Sequence, residues 1–298
     1  MGSKRLAVAS LIGALAAACA GPPSGSPAAP GRAGSTQRLS YVAVGDSFAA
    51  APGVPDPAPP AGCRKSTNGY PSILARELKV ISFVNVTCSG AKTEDITVRA
   101  QQTTDGPVAR QIDSVDASVD LITVTIGAND VGLPSDAKGC EAESAESEPC
   151  TNKFVVDNVD RISQVSNAQL PAWGALIDQL RAAAPHARIV FVGYGTFVRP
   201  GGCFPAQPVL SRDADYLQSK LSELDDLQRQ LADEKGIDYF DTRLLARGHD
   251  ICAAPNERFI EGYMTAGSTE PLHPNAFGEM AVGKALADYL RSPRAAFN

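Results

Sequence analysis

Apolar residues fall along this chain in two rhythms. Tyr41-Val42-Ala43-Val44 is a short continuous run that stops abruptly at Gly45-Asp46-Ser47, and residues 121–126 (Leu-Ile-Thr-Val-Thr-Ile) form a second that ends at Gly127-Ala128-Asn129-Asp130. Such runs read as strands, the second deeply buried. Residues 81–86, 188–192 and 237–240 supply three more. Between them the spacing turns helical. Pro71 opens a helix with Ile73, Leu74 and Leu78 on one face, and residues 212–235 carry Leu217, Leu221, Leu224 and Leu231. After Pro274-Asn275 a last helix runs to about residue 290, with Phe277, Met280, Ala281 and Ala287 expected inward. Residues 154–184 read as helix interrupted near Pro171, and 107–112 as a short helix. Trp173 and the Leu217 stripe belong to the core. Strands alternating with helices predict an α/β fold, its parallel sheet of five strands covered on both faces. No internal repeat is present.

Three of these strands end in small or polar clusters: Gly45-Asp46-Ser47, Cys88-Ser89-Gly90 and Gly127-Ala128-Asn129-Asp130. The carboxyl ends of the strands are where open α/β sheets hold their ligands. A Gly-Asp-Ser tripeptide by itself is more often a turn than a site. Its serine is a weak nucleophile unless a base lies in hydrogen-bond reach and donors await the oxyanion. Residues 49–62, dense in Pro and Ala, form a loop, and residues 132–152 read as an insertion over one edge of the sheet.

Composition narrows the class. Of 298 residues, 44% are apolar and 20% charged, which suits a globular domain with a sizeable core. A net charge of -6 with no basic block argues against nucleic acid as a partner. Lys4 and Arg5 precede an apolar run over residues 6–18, too short to span a membrane and patterned as a signal peptide. Leu15-Ala16-Ala17-Ala18-Cys19 resembles a lipobox, which would make Cys19 a lipidated first residue; plain cleavage after Ala18 or Ala20 is the rival reading. Residues 19–38, rich in Gly, Pro, Ser and Ala, read as a flexible tether. Residues 39–293 remain for the folded domain.

Six cysteines lie beyond Cys19: Cys63, Cys88, Cys140, Cys150, Cys203 and Cys252. An even set in an exported chain suggests disulfides, and pairing sequence neighbours is the simplest of fifteen connectivities. With no C-x-x-C pair and three scattered histidines, no metal site is expected.

The blocks Gly45-Asp46-Ser47, Ser89-Gly90, Gly127-Ala128-Asn129-Asp130 and His273 before Pro274-Asn275 stand in the order found in the SGNH (GDSL) hydrolases. The chain resembles that family over residues 39–290. Its six cysteines and Pro-rich loop are similar to those of the secreted actinobacterial lipases and esterases. The resemblance implies a flavodoxin-like three-layer α/β/α sandwich and a serine ester hydrolase with no cofactor. It implies Ser47 as nucleophile, His273 as base, and the Ser47 N–H, the Gly90 N–H and the Asn129 side chain as oxyanion donors. The family usually has aspartate three residues before the histidine, where this chain has Glu270. Glu270 is the candidate triad acid, and a backbone carbonyl is the alternative that some related esterases use. The Gly-x-Ser-x-Gly elbow of other α/β hydrolases is absent, since Phe48-Ala49 follow Ser47.

Asp46 and Asp130 read as structural hydrogen-bonders. His186 should lie on the surface at the far end of the sheet, and His249 beside Asp250 is the rival base. The expected function is lipase, phospholipase or esterase activity by an exported or lipid-anchored monomer acting on a small-molecule or lipid ester. A carbohydrate O-deacetylase on the same site and a non-catalytic binding lipoprotein are the competing readings.

Overall fold

The structure is a computed structural model that describes Gly2 and residues 39–292. The stretches expected to be signal peptide and tether, with Cys19, lie outside the described residues. Five parallel strands form the central sheet: β1 (Ser40–Gly45), β2 (Ser82–Asn85), β3 (Leu121–Thr125), β4 (Arg188–Val192) and β5 (Asp238–Phe240), in the order β5-β4-β3-β1-β2. The chain reverses its direction of travel across the sheet between β1 and β3. Their register sets Gly45 beside Thr125, so both strands end at one level. That switch point is where such sheets open a crevice for ligands.

Alternation along β1 divides the core. Val42 and Val44 face one layer with Ile122, Val124 and Phe191, while Tyr41 and Ala43 face the other with Leu121, Val190 and Phe240. The first layer is covered by two long helices, α1 (Arg161–Ala183) through Trp173, Leu176, Ile177 and Leu180, and α2 (Ser211–Lys235) through Leu221, Leu224 and Leu231. Two more helices cover the second: α3 (Tyr70–Leu78) and α4 (Ala276–Arg291), meeting through Leu74, Leu286 and Ala287. This is the three-layer α/β/α sandwich expected. Three disulfides join Cys63 to Cys88, Cys140 to Cys150, and Cys203 to Cys252.

Four local readings need correction. Helix α1 runs through Pro171 without a break, because Pro171 is exposed while Trp173, Leu176 and Ile177 are buried; the missing N–H falls on the wet face. Residues 154–160 do not belong to that helix. Phe154 ends a short helix, Thr151–Phe154, and the rest form a small hairpin, Val155–Val156 against Val159–Asp160, with Asp157 and Asn158 at positive φ in the turn. The short helix expected over 107–112 is a strand pair, Gln101–Thr103 with Gly106–Val108, followed by a single 3-10 turn over Gln111–Ser114.

Helix α4 is rotated from its expected face. Phe277 and Met280 are half exposed, and Gly278, Glu279, Gly283, Leu286 and Ala287 point inward. The cause is close packing on α3. A Cβ on Gly283 would lie 2.7 Å from the Ile73 side chain, so that contact exists only for glycine. The rotation carries Glu279 inside, where its carboxylate accepts the Tyr70 N–H (2.5 Å) at the start of α3. An acid at a helix N-terminus is favourable, though burial drives this carboxyl well above the ordinary range.

Candidate active site

The turn after β1 is shaped by its neighbours. Gly45 has φ +148, and a Cβ there would overlap the Thr125 carbonyl; only glycine permits β1 to run so close to β3 at this point. The Gln111 side chain pairs with both the Gly45 N–H (2.7 Å) and its carbonyl (2.9 Å), and the Asp46 N–H donates to Thr125 O (2.8 Å). A single helical turn, Ser47–Ala50, then begins. Asp46 caps it by accepting the Phe48 N–H (3.0 Å). Asp46 is fully buried, and desolvation pushes its carboxyl up to about 7 even though Tyr194 donates to it.

Ser47 Oγ lies 2.8 Å from His273 Nε2, across 226 positions of sequence. The other ring nitrogen, Nδ1, is 2.8 Å from the carbonyl oxygen of Pro271. Glu270 does not take the triad acid's place. Its carboxylate pairs with Arg64 (3.0 Å) instead. Two local conformations produce this. Leu272 adopts φ +62, which folds the Pro271 carbonyl back onto the ring, and Arg64 holds αL geometry after the 3-10 turn Ala61–Cys63, which brings its guanidinium to Glu270. Burial lowers the His273 pKa, the Pro271 bond and the Glu270 charge oppose that, and the Arg64 and Lys138 charges add to it.

The histidine segment rests on a buried polar platform. His273 O accepts the Glu261 N–H (2.9 Å), and the Leu272 N–H donates to Glu261 O (3.0 Å). The Glu261 side chain is ion-paired with buried Arg258 and accepts from Asn275 Nδ2 (3.0 Å) and the Ala266 N–H (3.1 Å). Asn275 Oδ1 meanwhile caps α4, accepting from Phe277 N and Gly278 N.

Gly90 and Asn129 are brought to the same turn. The Cys88 N–H donates to Gly45 O (3.0 Å), and Asn129 Nδ2 donates to Ala91 O (3.0 Å), so Gly90 stands between two residues tied to the other strand ends. Gly90 is exposed with φ +77, and a Cβ there would meet only the Gln101 amide, at 3.9 Å. Asp130 accepts from Thr93 (N–H 2.9 Å, Oγ1 2.6 Å) and from Trp173 Nε1 (3.2 Å), the structural role expected. Both other histidines stand apart. His249 contacts the Glu257 carbonyl (2.6 Å) and stacks on Phe259, and exposed His186 precedes β4.

Ser47, Asn129 and His273 border a cavity of about 400 Å³ whose walls are mostly apolar: Phe48, Leu133, Phe197, Val209, Leu217 and Ile251 among them. Among the described residues no cluster of His, Cys, Asp and Glu could hold a metal ion. Such a cleft, with a Ser–His pair at one end, has the parts that acyl transfer requires.

The model of the GDSL-like lipase/acylhydrolase family matches residues 43–281. The chain belongs to that family. Lipase 2 of Streptomyces coelicolor is 35% identical over 282 residues, spanning 88% of this chain and 89% of that protein. A lipase of Streptomyces rimosus is 27% identical over 219 residues, 73% of this chain and 75% of the other. The solved structure of phospholipase A1 from Streptomyces albidoflavus superimposes with a TM-score of 0.71, covering 86% of this chain and 100% of that one; at 23% identity this is a likeness of fold. The protein is a carboxylic ester hydrolase of the lipase and esterase type.

Within this GDSL hydrolase the 132–152 insertion forms one cavity wall through a helix at Leu133–Lys138. It is pinned by the Cys140–Cys150 bridge, by Tyr263 Oη on Ala137 O (2.9 Å) and by Ala142 N on Pro208 O (2.8 Å). Sequence reasoning passed over Arg64, the Glu261–Arg258 platform and Tyr194. Tyr194 alone left a trace, in that Gly193-Tyr194-Gly195 follows β4 as Gly-rich clusters follow β1 and β3.

Proposed function

We propose that the protein hydrolyses esters of apolar acyl chains through an acyl-enzyme on Ser47. The observation that carries this reading is the 2.8 Å contact between Ser47 Oγ and His273 Nε2 at the edge of an apolar cavity. His273 takes the serine proton as Oγ attacks the ester carbonyl. The Pro271 carbonyl accepts the Nδ1–H, fixing the tautomer that leaves Nε2 free to act as base. The oxyanion is met by the Ser47 N–H, the Gly90 N–H and Asn129 Nδ2, each worth roughly 3–4 kcal/mol of barrier. His273 then protonates the leaving alcohol, and water enters by the same route in reverse to release the acid.

The acyl chain would occupy the cavity beside Phe48, Leu217 and Ile251. Each methylene buried there is worth about 0.8 kcal/mol. A panel of p-nitrophenyl esters tests this: kcat/KM is expected to rise severalfold per added methylene until the cavity is full. A preference for acetate, with turnover of acetylated sugars, would instead favour the O-deacetylase. Ser47→Ala should lose both turnover and fluorophosphonate labelling while keeping its fold, and labelling retained in that variant would move the nucleophile elsewhere. Three disulfides and the charged-then-apolar N-terminus support export. Anchoring through Cys19 predicts palmitate incorporation that Cys19→Ser abolishes. The working unit is read as a monomer.

A further inference from the structure

Tyr194 follows β4 and reaches across two neighbouring strand ends. It is buried, and its backbone is fixed by Asp225, whose carboxylate accepts the N–H groups of Tyr194 (2.9 Å) and Gly195 (3.0 Å). Its ring packs edge-on against Phe48, with centroids 4.9 Å apart. Its hydroxyl makes two bonds. It donates to Asp46 Oδ2 (2.5 Å) and accepts the Ala128 N–H (3.0 Å). Asp46 immediately precedes Ser47, and Ala128 immediately precedes Asn129. One phenolic oxygen thus joins the turn carrying the nucleophile to the turn carrying the side-chain oxyanion donor.

We propose that Tyr194 is a positioning residue that sets the spacing between Ser47 and Asn129, holding the two sides of the oxyanion hole at the separation the tetrahedral intermediate needs. The inference rests on the roles proposed above for Ser47 and Asn129. Backbone pairing between β1 and β3 ends at Gly45 and Thr125, so the residues beyond are held by other means. The Asp46 N–H bond to Thr125 O holds the main chain on the β1 side. On the β3 side Asp130 is tied outward, to Thr93 and Trp173. Tyr194 supplies a link between the two turns themselves. A misplacement of about 1 Å at such a site can cost on the order of 100-fold in rate.

Tyr194→Phe keeps the ring on Phe48 and removes only the bridge. It is expected to lower kcat about 10–100-fold with KM for a p-nitrophenyl ester changed less than about twofold, since Tyr194 lines the cavity and its ring stays in place there. A double-mutant cycle gives the decisive reading. Asn129→Ala alone should cost about 100–1,000-fold, the loss of one donor. With that donor gone its placement no longer matters, so Tyr194→Phe in the Asn129→Ala background should cost little more. Losses that multiply in full, or a Tyr194→Phe enzyme with unchanged kcat, would overturn the proposal. Full activity in Asn129→Ala would remove the oxyanion assignment, and the proposal with it. Should Tyr194→Phe fail to fold by circular dichroism, Asp46→Asn weakens the bridge from its other end and must show the same kcat-only loss and the same non-additivity.

Discussion

His273, the proposed base, sits beside a dipole where many serine hydrolases place a charge. A carboxylate stabilises the imidazolium as well as orienting the ring, and its loss in a full triad costs about 10⁴ in turnover. Here orientation falls to the Pro271 carbonyl, while Glu270 acts at longer range and shares its charge with Arg64. His273→Ala is therefore expected to be nearly inactive, and Glu270→Ala to lose about tenfold. Equal losses in two folded variants would show that Glu270 is a triad acid after all. The same charges set the pH profile. The base must be neutral, and burial holds the His273 pKa below the ordinary value, so kcat/KM should persist to below pH of about 6.5 before it falls. Removing the Arg64 charge (Arg64→Ala) should move this acid limb upward, because that cation disfavours the imidazolium. Glu270→Gln should move it downward. Shifts in the opposite directions would mean the limb belongs to another group.

Helix α4 ties stability to catalysis at its N-cap. Asn275 caps the helix and also donates to the Arg258 carbonyl (2.8 Å) and to Glu261, two residues from His273. Asn275→Ala should cost about 1–2 kcal/mol for the cap and lower kcat as well, because the platform under the histidine loosens. Further along the helix, Gly283→Ala should affect stability alone. Alanine ordinarily gains about 1 kcal/mol over glycine inside a helix, yet the contact with Ile73 leaves no room for a methyl group, and overpacking costs about 1–3 kcal/mol. Urea titration should show a net loss with kcat unchanged, and a net gain would mean that α3 and α4 can separate at little cost. The Cys63–Cys88 bridge acts at the same scale. The Cys63 carbonyl accepts the Ser89 N–H (3.0 Å), so reduction should loosen Gly90 and lower activity before the domain unfolds.

For the molecule as a whole, buried carboxyls shape the dependence of stability on pH. Asp46 is pushed up to about 7 and Asp225 to about 6 by desolvation, and Glu279 is raised by the same cause. Their unfolded pKa values are about 3.9–4.3. The native state therefore binds protons that the unfolded chain releases, and stability grows as pH falls from about 7 toward 5. His273 acts the other way below about 6.5, since the unfolded chain would protonate first; it is one group against four, because burial raises Asp130 too. Asp160, Asp226, Asp241 and Glu261 have lowered values and withdraw their contribution only nearer pH 4. The melting temperature should peak near pH 5, below the pH of highest activity. A peak above 7 would falsify this account. The three disulfides add roughly 2–4 kcal/mol each, and thiol titration of residues 39–292, unfolded but unreduced, should find none.

Much of this architecture is legible one segment at a time. Continuous apolar runs mark strands with two buried faces, and five of them alternating with helices leave few arrangements other than a covered parallel sheet. The strand-end clusters at Ser47, Gly90 and Asn129 stand out because glycine and small polar residues interrupt apolar runs at the positions where backbone must turn. His273 stands out by its place before Pro274-Asn275. Pattern of this kind reports local burial and local turning. It says nothing of which atoms meet across 226 positions, and the remaining features depend on such meetings. Whether Glu270 or the Pro271 carbonyl supports the imidazole was set by φ at Leu272 and by an arginine more than two hundred residues away. Close approach at Gly283 turned α4, put Phe277 and Met280 outside and drew Glu279 in. Tyr194 is ordinary in sequence, and it becomes part of the site only because β4 lies beside β3 and carries its hydroxyl to the gap between two strand ends.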